Sequence, residues 1–419
     1  MIVPPAGLLQ RFTLPPLRVS TILLGFSVPI SVALDNLLLA IILLGMLFNT
    51  RDICRIVAQH PVARAAWLLF GMLFFAMVYG VTPLSEAAGI LGKYIDLVFV
   101  PLFMLLLAEA RHRQWAQYAF LAAMGLTLLL SYLVGLYLLS LPHWMGAWAT
   151  PSNPAIFHSH ITQNNMMAFA VFLALLEARD ASAFRLRMAW GAAALLGAIN
   201  VLFMVQGRTG YLILLALLGW FLWTTLARHM RELGRAWGWR QGALVVLVLA
   251  GLAAAVYQVS PRLHERVALV AAEYQAWQPN QGANTSIRQR LDFYYNSLQI
   301  VYQHPVFGVG TGGLKDAYAR QTQAIGAAPV PNPHNEYLMI MVQTGVIGLI
   351  LLLYLFFTLW REAERQDTSF TQDAARGLVL AYMVNCTFNS ALLDHGDGLF
   401  FAFMTAALFA GSGMKQEHG

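Results

Sequence analysis

Charged side chains are scarce in this sequence. Only 11% of the 419 residues are charged, whereas 58% are hydrophobic and the mean hydropathy is +0.60. Because soluble domains carry about 25% charged residues, this composition excludes a soluble enzyme or binding module and predicts an integral membrane protein. The basic pI near 9.4 then reflects membrane topology, and nucleic-acid binding is not needed to explain it.

Cysteine is almost absent as well. Cys54 and Cys386 are predicted to lie in a cytoplasmic loop and in a membrane span, so they cannot pair with each other. Disulfide bonds are therefore excluded as a source of stability. The sequence also lacks the internal repeat that builds many secondary transporters. We interpret residues 1–419 as a single membrane domain.

Long apolar runs fill most of the remaining sequence. A membrane-crossing helix needs about 20 mostly apolar residues, and a helix satisfies its own backbone hydrogen bonds in the hydrocarbon. The runs predict an all-α polytopic fold of about twelve transmembrane helices, in which the first run divides at Asp35. The predicted spans are 19–34, 35–49, 65–81, 94–109, 116–139, 161–177, 188–206, 210–226, 241–258, 336–359, 377–393 and 397–413.

The positions of lysine and arginine support this arrangement, because basic residues concentrate in short cytoplasmic loops. With both termini in the cytoplasm, 18 of the 26 basic residues fall on the cytoplasmic side. An even number of spans is thus favoured, and residues 260–333, between the ninth and tenth spans, are predicted to form a long periplasmic loop. The remaining basic residues are Lys93, Arg208, Arg262, Arg266, Arg288, Arg290, Lys315 and Arg320.

The long loop itself has helical patterns. Ser286 and Gln289 fit a capping box, and apolar residues then recur every three or four positions, which predicts an amphipathic helix over 287–303. Arg288 falls in its first turn, where free backbone N–H groups already favour an anion. This arginine is therefore either exposed or paired with a carboxylate, or it binds a negatively charged ligand. A second amphipathic helix with a structural role is predicted over 263–277.

Arg208 lies between two apolar helices with almost no loop, in Gly207-Arg208-Thr209-Gly210. Its charge is predicted at or slightly inside the outer membrane surface, where an arginine usually marks a pathway or an anionic ligand. The flanking glycines would allow a backbone or ligand to approach closely. Snorkelling of the arginine to the lipid headgroups is the alternative. Lys93 is either a similar candidate or the partner of Asp96 in an ion pair one helical turn away.

Histidines near the middle of the chain raise the question of a metal. His158 and His160, with His143 upstream, would be possible zinc ligands, but no cysteine or carboxylate completes a recognisable ligand set. We therefore expect no metal.

Two further patterns lie in predicted turns. Residues 308–313 match a dinucleotide fingerprint by letter but have no parallel-strand context, so they predict a glycine-rich turn. Asp394 and Asp397 join the last two spans in a short polar turn, which could also supply an acid or a base.

His334 lies where the long loop turns back into an apolar helix, in Pro331-Asn332-Pro333-His334-Asn335-Glu336. A lone histidine at such a position is either a cap or interface residue, or a general base, since an imidazole pKa near 6.5 suits proton transfer at neutral pH. The two prolines restrict its approach, and the loop supplies nearby arginines. A proton acceptor and cations at the outer membrane edge favour chemistry on a lipid-linked phosphate.

These motifs resemble those of a known family. His334-Asn335, nine residues and Gly345-Val346-Ile347-Gly348 are similar to the histidine motif of bacterial O-antigen ligases. Residues 207–210 resemble the arginine-Ser/Thr-glycine turn of that superfamily, and Ser286-Ile287-Arg288 with residues 304–310 resembles its long-loop signature. The related O-antigen polymerases share the loop and the arginines, so the choice between ligase and polymerase stays open.

The resemblance implies transfer of a glycan from undecaprenyl diphosphate to a sugar hydroxyl of the lipid A-core, at the periplasmic face of a Gram-negative inner membrane. It implies that His334 is the general base, that Arg208 and Arg288 hold the diphosphate, and that the anomeric centre is inverted. A diphosphate is already a good leaving group, so no metal or other cofactor is expected. Further substrate-binding candidates are Lys93, Arg290 and Asn335.

Proteins of two other classes are alternatives: a transporter of lipid-linked glycan, and an envelope binding or scaffold protein. Transporters place their binding groups near the bilayer midplane, on broken helices. Here the candidate charges gather at the outer edge, which favours catalysis at the membrane surface.

Overall fold

The computed structural model describes residues 8–141, 149–234, 238–259, 261–281 and 285–411. These residues form helices joined by short turns, together with one two-residue antiparallel hairpin of β1 (Ala149–Thr150) and β2 (Asn153–Pro154). The helices are α1 (Leu8–Ser27), α2 (Val32–Met46), α3 (Thr50–Gln59), α4 (Pro61–Ala76), α5 (Leu84–Lys93), α6 (Asp96–Leu106), α7 (Ala110–Gly135), α8 (His160–Asp180), α9 (Phe184–Ile199), α10 (Arg208–Glu232), α11 (Trp239–Val259), α12 (Pro261–Gln275), α13 (Ser286–Gln303), α14 (Leu314–Gln321), α15 (Glu336–Ala363), α16 (Ser369–Phe388) and α17 (His395–Phe409).

The all-α prediction is confirmed, and every predicted span overlaps at least one helix. By length and hydropathy, seven helices of the described residues can cross a membrane, or eight if α2 and α3, bent by 97°, form one broken span. The protein is a polytopic membrane protein, while the number twelve, the orientation and the periplasmic loop stay predictions. The seven helices are Leu84–Leu106, Ala110–Gly135, His160–Asp180, Phe184–Met204, Arg208–Glu232, Trp239–Val259 and Glu336–Ala363.

The sequence predicted that the first apolar run divides at Asp35, and this prediction is wrong. The break between α1 and α2 lies earlier, because Pro29 lacks a backbone N–H and Ser31 caps α2 by accepting a hydrogen bond from Leu34 N at 3.3 Å. Asp35 lies inside α2, where it is 1% exposed and accepts a hydrogen bond from the Ser27 hydroxyl. Both cysteines are free, as predicted; Cys54 is exposed and Cys386 is buried.

The centre of the bundle is formed by α8 and α17, which are buried along most of their lengths. A helix that is apolar all round is typically buried by its neighbours, and α17 follows this rule. Aromatic rings join the two helices to α7: Phe120 stacks on Phe400 with centroids 5.0 Å apart, and Phe169 meets Phe400 edge to face at 5.9 Å. By contrast, α11 leaves most of its surface exposed.

The long loop forms the predicted amphipathic helix almost unchanged. Helix α13 ends at Gln303, but its N-cap is Thr285 and not Ser286. The Thr285 hydroxyl accepts a hydrogen bond from Arg288 N at 3.5 Å and donates one to Glu273 of α12 at 2.8 Å. The predicted capping box of Ser286 and Gln289 is therefore wrong, since the N-cap lies one residue earlier, at Thr285. The second predicted helix is α12, whereas α14 was not predicted.

Helix α15 is broken at Gly345, whose φ of 63° and ψ of −159° are not helical. The glycine-rich turn at 308–313, confirmed as a turn, packs into this break. Its backbone also bonds to the end of α4, through Val81 N to Val309 O at 3.1 Å and Thr311 N to Ala76 O at 3.3 Å. The turn thereby fixes the end of α13 against α4 and α15.

Candidate functional site

The N-terminal ends of four helices meet at one end of the bundle. The start of α8 contacts that of α17 through Thr162 Oγ1, which donates to Asp397 Oδ2 at 3.2 Å. Asn164 of α8 donates to Val205 O, just before α10, at 3.2 Å. The start of α15 joins the group through Glu336. Because helix N-termini present free N–H groups and a partial positive charge, this end of the bundle is suited to an anionic ligand.

His334 occupies the turn that leads into α15. Its φ of 55° lies in the left-handed region, which costs a non-glycine residue about 1–3 kcal/mol and persists only where its surroundings enforce it. Asn332 Oδ1 accepts a hydrogen bond from His334 N at 2.8 Å, and the Tyr294 hydroxyl donates to His334 O at 3.3 Å. The backbone of His334 is therefore held on both sides.

The imidazole of His334 is half-buried and lies nearly parallel to the ring of Phe293, with centroids 6.3 Å apart. Burial, and after it the positive charge of Arg290, lower the pKa of His334 below its usual 6.5. The ring is consequently neutral at pH 7 and offers a lone pair that can accept a proton.

Arg288 and Arg290 lie in the first two turns of α13, and both are partly buried. Neither forms an ion pair with any carboxylate of the described residues. Arg288 Nε is buried and has no hydrogen-bond partner there. A cation at a helix N-terminus is unfavourable without a counter-charge. Both guanidinium groups thus lack a carboxylate partner within the described residues, and that of Arg290 lies close enough to His334 to act on its charge.

Arg208 is exposed as the first residue of α10. A Cβ on the preceding Gly207 would lie 2.4 Å from Asn164 Nδ2, so the close approach that this glycine allows is made by α8. The next residue, Thr209, accepts a hydrogen bond from Asn389 Nδ2 at 3.1 Å. The turn that carries Arg208 is therefore hydrogen-bonded to the segment before α17.

That segment, residues 389–394, connects motifs that are distant in sequence. Besides the Asn389 contact, the Ser390 hydroxyl donates to Asn332 Oδ1 at 2.7 Å, and Leu392 N donates to Glu336 Oε2 at 2.8 Å. Asn389 and Ser390 were not predicted as site residues, since their partners lie 180 and 58 residues away in the sequence. The one available signal was a pair of small polar residues at the end of an apolar helix.

Asp394 forms the predicted polar turn, where it caps α17. Its Oδ1 accepts hydrogen bonds from Gly396 N at 3.1 Å and Asp397 N at 3.2 Å. Asp397 is 2% exposed and accepts hydrogen bonds from Thr162 and Asn165 of α8. Both carboxylates thus have structural partners at the junction of α8 and α17.

Asn335, predicted to bind substrate, uses its side chain as the N-cap of α15. Its Oδ1 accepts a hydrogen bond from Leu338 N, and its Nδ2 donates to Thr387 O, both at 2.9 Å. These contacts fix the residue next to His334. They leave the amide occupied on both of its polar atoms.

Of the two alternatives for Lys93, the ion pair with Asp96 is not formed among the described residues. Helix α5 ends at Lys93 and α6 begins at Asp96, so the two residues are not one turn apart on a continuous helix. Lys93 is exposed, whereas Asp96 is 2% exposed and neither of its oxygens has a hydrogen-bond partner among the described residues. Tyr94, between them, donates to Glu336 Oε1 at 2.9 Å, which brings this turn against the start of α15.

His158 and His143 were among the histidines considered as zinc ligands. His158 shares a hydrogen bond with Val28 O at 2.8 Å, and His143 lies outside the described residues. Within the described ranges, no group of three His, Cys, Asp or Glu side chains is arranged to hold a metal ion.

Part of the chain, including several of these residues, is similar to a known family. Residues 192–353 match the family model described as O-Antigen ligase, and this range contains Arg208, Arg288, Arg290 and His334. A protein of Haemophilus influenzae, named only as an uncharacterized protein, is 24% identical over 119 residues. That match spans 27% of this chain and 30% of the length of the relative.

Proposed function

We propose that this protein is an O-antigen ligase, because residues 192–353 match the family model described as O-Antigen ligase. In this proposal it transfers a glycan from undecaprenyl diphosphate to a sugar hydroxyl of the lipid A-core. The protein lies in a Gram-negative inner membrane with both termini in the cytoplasm, and residues 260–333 and the site face the periplasm.

The observation that carries the proposal is that a neutral imidazole and a guanidinium group lie close together at the start of α15. A neutral, half-buried imidazole at His334 lies in the field of Arg290. Arg288, two residues away on the same helix, has a buried Nε that lacks a partner in the described part of the chain. A proton acceptor in the field of Arg290, with no carboxylate partner for Arg288 or Arg290 among the described residues, suits a reaction in which a hydroxyl loses a proton while a diphosphate leaves.

The proposed reaction is a direct displacement. His334 accepts the proton of the acceptor hydroxyl as its oxygen attacks the anomeric carbon of the donor from the face opposite the diphosphate. The bond between that carbon and the diphosphate oxygen breaks, the electron pair leaves with undecaprenyl diphosphate, and the anomeric centre is inverted. A positioned base contributes about 10²- to 10⁴-fold. Arg208, Arg288 and Arg290 stabilise the growing charge on the diphosphate, and Lys93 is a further candidate for this role.

One experiment distinguishes a ligase from a polymerase and from a transporter by the products that form. Purified protein is reconstituted with lipid-linked glycan and lipid A-core, and each substrate is omitted in turn. A ligase forms glycan-bearing lipid A-core only when both are present, and His334→Ala lowers the rate of product formation by about 10²- to 10⁴-fold. Extension of the lipid-linked glycan without lipid A-core would instead indicate a polymerase. Movement of intact lipid-linked glycan across the bilayer, with no new glycosidic bond, would indicate a transporter.

A further inference from the structure

A single oxygen joins the backbone of His334 to a distant segment of the chain. Asn332 Oδ1 accepts one hydrogen bond from His334 N at 2.8 Å and another from the Ser390 hydroxyl at 2.7 Å. Ser390 is 4% exposed, so its hydroxyl has little access to water as an alternative partner. Asn332 stands between two prolines, which restrict the backbone on either side of it.

We propose that Asn332 and Ser390 are positioning residues for His334: they hold its backbone in the left-handed conformation and thereby set where its imidazole projects. The left-handed region is unfavourable for a residue with a side chain. When the hydrogen bond to His334 N is lost, the backbone is free to relax toward negative φ. That relaxation turns the Cα–Cβ bond and moves the ring. This inference rests on the proposed function, in which His334 takes the proton of the acceptor hydroxyl.

The same short segment also fixes the cation side of the site. Asn389, adjacent to Ser390, donates to Thr209 at 3.1 Å, and Thr209 follows Arg208. Consecutive residues therefore hold the turn of the proposed base and the turn of a proposed diphosphate ligand. Proton transfer needs the imidazole about 2.6–3.2 Å from the acceptor hydroxyl, and that hydroxyl must also face the anomeric carbon of the bound donor. The distance between these two turns therefore decides whether base, acceptor and donor are aligned.

The test compares two alanine substitutions that remove the hydrogen bonds with the conservative substitution Asn332→Asp. Ser390→Ala and Asn332→Ala remove the link, and each is expected to lower kcat by about 10- to 100-fold, the effect of a displacement of about 1 Å. Donor binding and the KM of both substrates should stay near wild type, because the guanidinium groups are intact. Thr322→Val is the matched control: Thr322 is also buried, and among the described residues its hydroxyl donates only to Tyr318 O, in the last turn of the adjoining α14.

Asn332→Asp separates positioning from a general structural role. A carboxylate keeps an acceptor oxygen for both donors, so the conformation of His334 is retained and most of the kcat is recovered. The added negative charge two residues from His334 favours the protonated imidazole, which raises its pKa. The acidic limb of the kcat profile should consequently move to higher pH, an effect that a simple loss of folding does not produce.

Failure of this inference differs from failure of the proposed function. If His334→Ala is inactive while Ser390→Ala and Asn332→Ala both turn over at the wild-type rate, the positioning role is overturned and the ligase proposal stands. If His334→Ala itself transfers normally, the proposed base is removed together with the inference. Size-exclusion profiles and thermal unfolding of each variant, compared with Thr322→Val, identify any protein that has not folded. If Asn332→Ala has not folded, Ser390→Ala and Asn332→Asp decide the result.

Discussion

Replacement of Gly345 by alanine should destabilise the protein and impair transfer together. The φ of 63° with ψ of −159° is a conformation that side chains rarely adopt, and it costs about 1–3 kcal/mol. A Cβ there would lie 2.1 Å from Val306 O and 2.6 Å from Phe307 N. Both neighbours are backbone atoms, so no side-chain rotation relieves the clash.

The loss of stability caused by Gly345→Ala depends on which backbone atoms must move. To reach ordinary contact, the segment around Val306 has to shift by more than about 1 Å, which breaks the backbone hydrogen bonds that fill the break in α15. Each is worth about 0.5–1.5 kcal/mol net, so the strain and the three lost bonds together amount to roughly 2.5–7.5 kcal/mol. The bonds are Val309 N to Val342 O at 2.8 Å, Gly310 N to Gln343 O at 2.9 Å and Val346 N to Pro305 O at 2.8 Å.

Thermal unfolding of the purified protein and the transfer assay, run on the same preparations, check this prediction. Gly125→Ala is the control: Gly125 lies within α7, and a Cβ there meets nothing within 4 Å, so alanine should be neutral or stabilising by up to about 1 kcal/mol. Gly345→Ala should unfold at a clearly lower temperature than this control, and transfer should fall. If the two variants behaved alike, the glycine-rich turn would not be packed into α15 as described.

Other predictions concern the charges of the site. Arg288→Ala should weaken binding of lipid-linked glycan as well as turnover, and Arg288→Lys should restore only part of both, since a point charge lacks the guanidinium fork; full recovery by lysine would contradict a bidentate contact. Arg290 lowers the pKa of His334, so Arg290→Gln should raise that pKa, and the acidic limb of kcat at saturating donor should move to higher pH; an unchanged profile would remove Arg290 from the field of the base. Because arginines carry the diphosphate charge in this mechanism, transfer should persist in EDTA and need no added nucleotide, and an absolute requirement for a divalent cation would refute it. A reporter fused at Asn280 should be periplasmic, and a cytoplasmic signal would reverse the proposed orientation.

The sequence predicted the elements whose signals are local. Helix α13 was expected over 287–303, because its apolar residues recur with helical spacing and His304-Pro305 ends it. The break at Gly345 was not expected, since one glycine in a long apolar run costs only about 1 kcal/mol and does not by itself end a helix. The break persists because a turn about 36 residues earlier supplies N–H groups to the carbonyls that it frees.

The site residues that were predicted likewise have local signals, whereas those that were missed depend on contacts distant in sequence. Arg288 and His334 were candidates because guanidinium and imidazole groups carry chemistry wherever they occur, and their positions at helix starts added a reason. Ser390 and Asn332 have ordinary side chains whose importance depends on contact with each other across 58 residues. His334 shows why this contact matters: proline-flanked sequence restricts its approach, but a left-handed φ of 55° must be held from outside. The reactive group of the site was therefore predictable from its chemistry, whereas its conformation depends on a partner that only the folded chain brings near.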